Sequence, residues 1–195
     1  MRRPLPLLLL AALLLWGGSA LAATPLAAGR AAFDAKDYSH ALQLWRPLAE
    51  QGNADAQYNL GLLYENGWGV KQDPATAKMW YIKAINQGNT DAMYNLGVMY
   101  AQGKGVFRSD RQAVELWQAA ADRGHIPALY NLGVMYAYGM GVKQDTHHAL
   151  ALWRQAAKAG NHNAAEALTS VYAKGMFGVA RNPAKARQWR EQPGR

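Results

Sequence analysis

The chain has 195 residues, half of them apolar and 17% charged, with 21 Lys and Arg against 13 Asp and Glu. That apolar share is enough to bury a core, and the length allows one domain or two small ones. The absence of Cys excludes a disulfide scaffold, a thiolate metal site and a cysteine nucleophile.

The amino terminus reads as a targeting segment. Met1-Arg2-Arg3 is a short basic start, Leu5 to Trp16 is almost unbroken apolar sequence, and Ala20-Leu21-Ala22 puts small residues where a signal peptidase reads. Residues 1–22 are therefore expected to be a secretory signal peptide, cleaved between Ala22 and Ala23. The rival is an uncleaved anchor, but the run is short for a hydrocarbon core of about 30 Å and Gly17-Gly18-Ser19 interrupts it. Loss of Arg2 and Arg3 lowers the net charge from +8 to +6. This reading places the protein in the periplasm or the extracellular space, without stable membrane insertion. An exported address also argues against a nucleic-acid partner.

Self-similarity organises the rest. Tyr58-Asn59-Leu60-Gly61 returns as Tyr94-Asn95-Leu96-Gly97 and Tyr130-Asn131-Leu132-Gly133, a period of 36 residues. The expected organisation is N-terminal capping helices over 23–52, repeats at 53–88, 89–124 and 125–160, and a degenerate C-terminal capping repeat over 161–195. Each repeat reads as two helices joined by a glycine loop. Asn53, Asn89 and Asn161 stand where an N-cap is wanted, and Asp73-Pro74 pairs a capping side chain with the residue suited to the first helical position. In the first helix Ala56, Gln57, Leu60, Gly61 and Tyr64 share one arc, with Gly61 expected to let two backbones approach. In the second, Ala77, Trp80, Tyr81, Ala84 and Ile85 form a buried stripe. The last unit has Thr169 in place of the packing glycine, and one extra loop residue that brings Arg190 to the position of the Trp and Tyr.

The combination Asp-Ala-x-Tyr-Asn-Leu-Gly-x-x-Tyr, Gly-x-Gly-Val, Ala-x-x-x-Trp and Ala-Ala-x-x-Gly resembles the Sel-1-like repeat, a relative of the tetratricopeptide repeat, over about residues 31–192. The resemblance implies an all-α fold, a right-handed α-solenoid of antiparallel helix pairs whose concave side is lined by first helices. It also implies a non-enzymatic adaptor or scaffold, of which one exported form is a periplasmic immunity protein. The family has a cysteine-rich branch with lactam-binding or hydrolase activity, and the missing Cys separates this chain from it.

Opposite the core arc, the first helices repeat Tyr58, Asn59 and Leu62 as Tyr94, Asn95 and Val98, then as Tyr130, Asn131 and Val134, with Tyr138 following and Glu65, Ala101 and Ala137 on the same arc. Asn can donate to a carbonyl and accept from an amide, and Tyr adds area with a polar tip, so these ladders suit a protein or peptide partner. The alternative is that they hold adjacent repeats together. The loop-tip residues Trp68, Lys104, Met140, Met176 and Phe177 are either a second contact surface or tucked under neighbouring repeats. Lys174, Arg181, Lys185, Arg187 and Arg190 make the C-terminal end basic, which suits an anionic envelope polymer such as peptidoglycan or simply a solvated cap. No catalytic, cofactor or metal motif emerges: the five His have no metal-ligand spacing, and the adjacent His147 and His148 are expected to be exposed first-turn residues.

Overall fold

The computed structural model describes residues 24–191. The signal-peptide reading of residues 1–22 therefore lies outside the described residues, as do residues 192–195 of the cap. Ten helices span the described part: α1 (Pro25–Asp34), α2 (Tyr38–Glu50), α3 (Ala54–Asn66), α4 (Pro74–Ile85), α5 (Thr90–Gln102), α6 (Asp110–Ala121), α7 (Ile126–Tyr138), α8 (Thr146–Lys158), α9 (His162–Lys174) and α10 (Pro183–Glu191). Each packs on the helix before and the helix after it, and α3 also touches α5. The result is an all-helical solenoid of paired helices.

Local chemistry sets the helix ends. The side chains of Asn53, Asn89 and Asn161 accept from the amides of Ala56, Ala92 and Ala164, at 2.8, 2.8 and 2.9 Å. His125 holds the equivalent place in the third repeat, accepting through Nδ1 from the Ala128 amide. Asp73 accepts from the amides of Ala75 and Thr76 ahead of Pro74. These bonds to the ionised form hold the Asp73 carboxyl below the usual carboxylate range, led by the bond from the Thr76 hydroxyl. Gly67, Gly103, Gly139 and Gly175 end the first helices in the left-handed region, with φ near 70°. The next helix is then tied back. The amides of Asp73, Ser109, Asp145 and Asn182 donate to the carbonyls of Tyr64, Tyr100, Tyr136 and Tyr172.

Four of the five pairs close on a ring that lies over a glycine. The indoles of Trp45, Trp117 and Trp153 lie over Gly29, Gly97 and Gly133, and each Nε1–H donates to the carbonyl three residues before its glycine, on Leu26, Tyr94 and Tyr130, at 3.1–3.2 Å. A Cβ on Gly97 or Gly133 would stand 2.5 Å from the indole nitrogen. Glycine is thus needed at Gly61 and its counterparts to seat a side chain, not to bring two backbones together as the sequence suggested. A buried indole removes roughly 200 Å² from water, on the order of 5 kcal/mol before entropy is counted.

Several buried positions depart from the expected arcs. Tyr64 is only half-buried, whereas Leu63, Met99, Met135 and Val171 are core residues. A first helix is packed both by its own partner and by the second helix before it, so its buried arc is wider than contact with one neighbour would make it. For the same reason Ala137, on the supposed groove arc, is fully buried, in a cluster with Met176 and Phe177 packed against it. In the last helix the extra loop residue does not cost the aromatic: Trp189, 8% exposed, faces inward with Ala186, and Arg190 points to solvent. His147 is exposed as expected, but His148 is half-buried, its ring 4.4 Å from that of Tyr136. With Thr169 at the place of the glycine and Arg190 at that of the indole, a hollow of about 420 Å³ opens between α9 and α10, lined by His162, Glu166, Thr169, Trp189 and Arg190.

Gly97→Ala is expected to destabilise the fold by about 1–3 kcal/mol, because the Trp117 indole must leave its seat. Urea unfolding followed by tryptophan fluorescence measures this, and an unchanged midpoint would show the seat to be elastic.

Candidate functional site

The expected groove residues lie along α3, α5 and α7, and the structure gives them different tasks. Tyr58, Asn59, Leu62, Tyr94, Asn95, Val98, Tyr130, Asn131 and Val134 are all half-buried, and only Tyr138 is exposed, at 58%, with one side of its ring against Phe177. Leu62 and Tyr58 pack on the core of the first repeats, Tyr94, Val98, Tyr130 and Val134 on that of the later ones. Two of the tyrosines are held by other rings: the Tyr58 ring lies 6.0 Å from Tyr81 of its own repeat and the Tyr94 ring 4.9 Å from His125 of the next.

A ladder of two rungs crosses the repeat junctions at the start of the first helices. Asn89 caps α5 and donates to Asp55 at 3.3 Å. In the following unit His125 caps α7 and its Nε2 lies 3.1 Å from Asp91. Since Nδ1 accepts from an amide, the ring proton sits on Nε2 and is donated to Asp91. Pro127 replaces the acid in the third repeat and ends the series.

The junction of the first two repeats is closed by a polar network. Tyr81, which replaces tryptophan over Gly61, donates to Glu65 at 2.6 Å. Lys104 reaches Glu65 at 3.0 Å from the next loop, and Asn95 donates to the Tyr81 hydroxyl at 3.4 Å. Burial, then the Glu65 charge, pushes the Tyr81 phenol well above the ordinary tyrosine value. Burial, reinforced by Asp91, raises Tyr58 to about 12. Both phenols therefore stay neutral in any physiological medium, which keeps Tyr81 a donor to the carboxylate.

One repeat further the same positions are apolar. Ala101 replaces Glu65, Trp117 replaces Tyr81 and Met140 replaces Lys104. With these groups gone, Ala101, Trp117, Val134, Met135 and Met140 line a cleft of about 220 Å³ with Asn131 on its wall and the Arg108–Asp110 pair at its edge. The asparagine ladder is therefore not uniform: Asn95 is engaged between repeats, whereas Asn131 borders an open slot. Sequence reasoning named Asn131 and Val134 but not Trp117, Met135 or the missing carboxylate that opens the cleft. Comparing Glu65 with Ala101 was the available signal.

The loop tips mostly tuck inward. The Trp68 ring stacks on Tyr38 at 5.3 Å and meets Phe33 edge-on, and Phe177 meets Tyr138 at 5.0 Å. The basic residues Lys174, Arg181, Lys185, Arg187 and Arg190 are exposed and join no salt bridge among the described residues. No cluster of three metal-ligating side chains occurs among the described residues. No described helix is long and apolar enough to cross a membrane.

Known proteins share this arrangement. The family model described as the Sel1 repeat matches residues 33–53, 54–89, 90–125, 126–161 and 163–191. A solved Sel1 repeat protein from Oxalobacter formigenes is 32% identical with a TM-score of 0.78, over 86% of this chain and 66% of that one. A protective antigen from uropathogenic Escherichia coli strains is 32% identical with a TM-score of 0.75, over 87% of this chain and 38% of that one. An immunity protein from Pseudomonas aeruginosa is 26% identical with a TM-score of 0.56, over 83% of this chain and 63% of that one. The chain thus spans less than two thirds of each of these three relatives. No curated protein sequence matches it.

Asn95→Ala is expected to cost about 0.5–1.5 kcal/mol by removing a bond between repeats, and Asn131→Ala to stay within about 0.5 kcal/mol of wild type. Thermal unfolding of the two variants checks the assignment, and equal losses would return both asparagines to a purely structural role.

Proposed function

Because the chain belongs to the Sel1 repeat family, whose members are in general protein-interaction scaffolds, we propose that it is a non-enzymatic binding module of the bacterial cell envelope. It holds a protein or peptide along the first-helix face. The observation that carries this reading is the open slot beside Asn131: apolar walls take a side chain, and the carboxamide offers both a donor and an acceptor to the adjoining backbone. Its location in the envelope rests on the signal-like sequence of residues 1–22. The likeness to an immunity protein supports a finer form, in which the partner is a toxic protein delivered by a neighbouring cell and neutralised on binding. A second reading, attachment to an anionic envelope polymer, is favoured by the unpaired basic side chains of α9 and α10.

Capture of a partner from an envelope extract by the tagged protein tests the first reading. Asn131→Ala combined with Tyr138→Ala is expected to weaken retention by about tenfold or more, as for residues that anchor an interface. Retention that is unchanged in this variant but lost at high salt would support the polymer reading instead.

A further inference from the structure

The second helices carry surface that faces away from the groove, and on α6 and α8 that surface is largely polar. Positions Arg111, Glu115 and Gln118 of α6 correspond to His147, Ala151 and Arg154 of α8. The matching residues of α4 are Ala75, Met79 and Ile82. Met79 is 58% and Ile82 39% exposed, both among the few large apolar side chains left in water. The next loop continues the departure. Its residue 107 corresponds to Lys71 and Lys143, yet it is Phe, and the side chain is 97% exposed.

The loop lies against α4. Gly105 lays the loop against Pro74 at the start of α4, where any Cβ would collide with the proline ring. Phe107 consequently shares a surface hollow with Lys78, Tyr100 and Val106. On α4, Ile82 lies one turn beyond both Lys78 and Met79, at i+4 and i+3, and so joins the two. Charge around the patch is uncompensated. Lys71, Lys78 and Lys83 join no salt bridge among the described residues, while the nearby acids Asp110 and Glu115 are occupied by Arg108 and Arg111, and Asp73 caps α4. Two of these lysines lie against aromatic faces: Lys83 Nζ is 4.1 Å from the Trp80 ring centroid and Lys78 Nζ 5.7 Å from that of Tyr100. The ammonium groups themselves lie over the rings and have no acidic partner among the described residues.

We infer that this outer face of α4 and its adjoining loop docks peripherally on an anionic lipid surface, with Phe107, Met79 and Ile82 entering the headgroup layer and Lys71, Lys78 and Lys83 meeting its phosphates. Three apolar side chains are few for a stable protein interface, which covers roughly 800 Å² on each partner. A headgroup layer closes around whatever projects into it. Lysines without acidic partners supply the attraction to its negative surface potential, and the phenylalanine supplies depth. The inference does not depend on the groove reading, since the two surfaces share no residue.

Sedimentation with vesicles of mixed phosphatidylglycerol and phosphatidylcholine, compared with phosphatidylcholine alone, tests it on the chain freed of residues 1–22. Binding is expected to the anionic vesicles only, and to weaken as salt is raised. Phe107→Lys is the decisive variant, because it installs the residue of the sister loops and adds a positive charge. A purely electrostatic attachment would hold or strengthen, whereas the proposed docking should weaken by about fivefold or more. Met79→Glu with Ile82→Gln, the residues of α6, should act in the same direction, with the circular dichroism spectrum and melting temperature unchanged. Absence of binding to anionic vesicles would overturn the proposal. So would full binding by Phe107→Lys, or a loss that occurs only on neutralisation of Arg181, Lys185 and Arg187. Retention of a protein partner that depends on Phe107, without any vesicle binding, would assign the patch to a protein instead.

Discussion

The structure depends on one contact made again in successive helix pairs: an aromatic ring from the second helix lying over a glycine of the first. The missing Cβ lets the ring sit against backbone. The indole N–H then meets a carbonyl at 3.1–3.2 Å, so the one polar atom of a large apolar group is satisfied where it is buried. A tryptophan without the glycine would be expelled, and the glycine without the tryptophan would leave a hole. The last unit lacks both partners of this contact. Thr169 turns its hydroxyl back to the Ala165 carbonyl, Trp189 packs from the neighbouring helix position, and the hollow between α9 and α10 stays open.

Given that closure, the repeats are free to differ on the surfaces it does not use. The first junction fills its slot from within, through Glu65, Tyr81, Lys104 and Asn95. The Glu65 side chain is 12% exposed, and its charge is held by an ammonium and a phenol at hydrogen-bond distance. The second junction has alanine, tryptophan and methionine at those places and keeps an apolar cleft. The same scaffold thus presents a sealed junction beside an open one. Function in such an array resides in the positions where its units disagree.

Much of this was legible in the residues. The period, the paired helices, the asparagine caps and the Asp73-Pro74 start all express backbone preferences that act over three or four positions, and the structure repeats them closely. The cap at His125 was harder to foresee, because histidine is an uncommon N-cap and its role is read from the Ala128 amide and Asp91 together. Leu63 and Ala137 escaped a single-arc reading, since a helix between two neighbours buries more of its circumference than one packed on a single side. Trp189 escaped because one inserted loop residue shifts the alignment, while burial goes to the side chain able to reach the core.

The sequence by itself determined the architecture: a 36-residue period with caps, glycine turns and apolar stripes leaves a helical solenoid as the arrangement that satisfies them all. Only the tertiary structure decided which surface residues are free. Asn95 and Asn131 occupy identical places in the repeat, yet one meets the Tyr81 hydroxyl and the other borders a cleft. Tyr94 is held against His125, Trp68 against Tyr38, and Phe107 against nothing. The contacts among these join groups 14 to 31 residues apart along the chain, brought close by stacking. Local periodicity carries no record of such neighbours, because it describes what a helix prefers and not what stands opposite it.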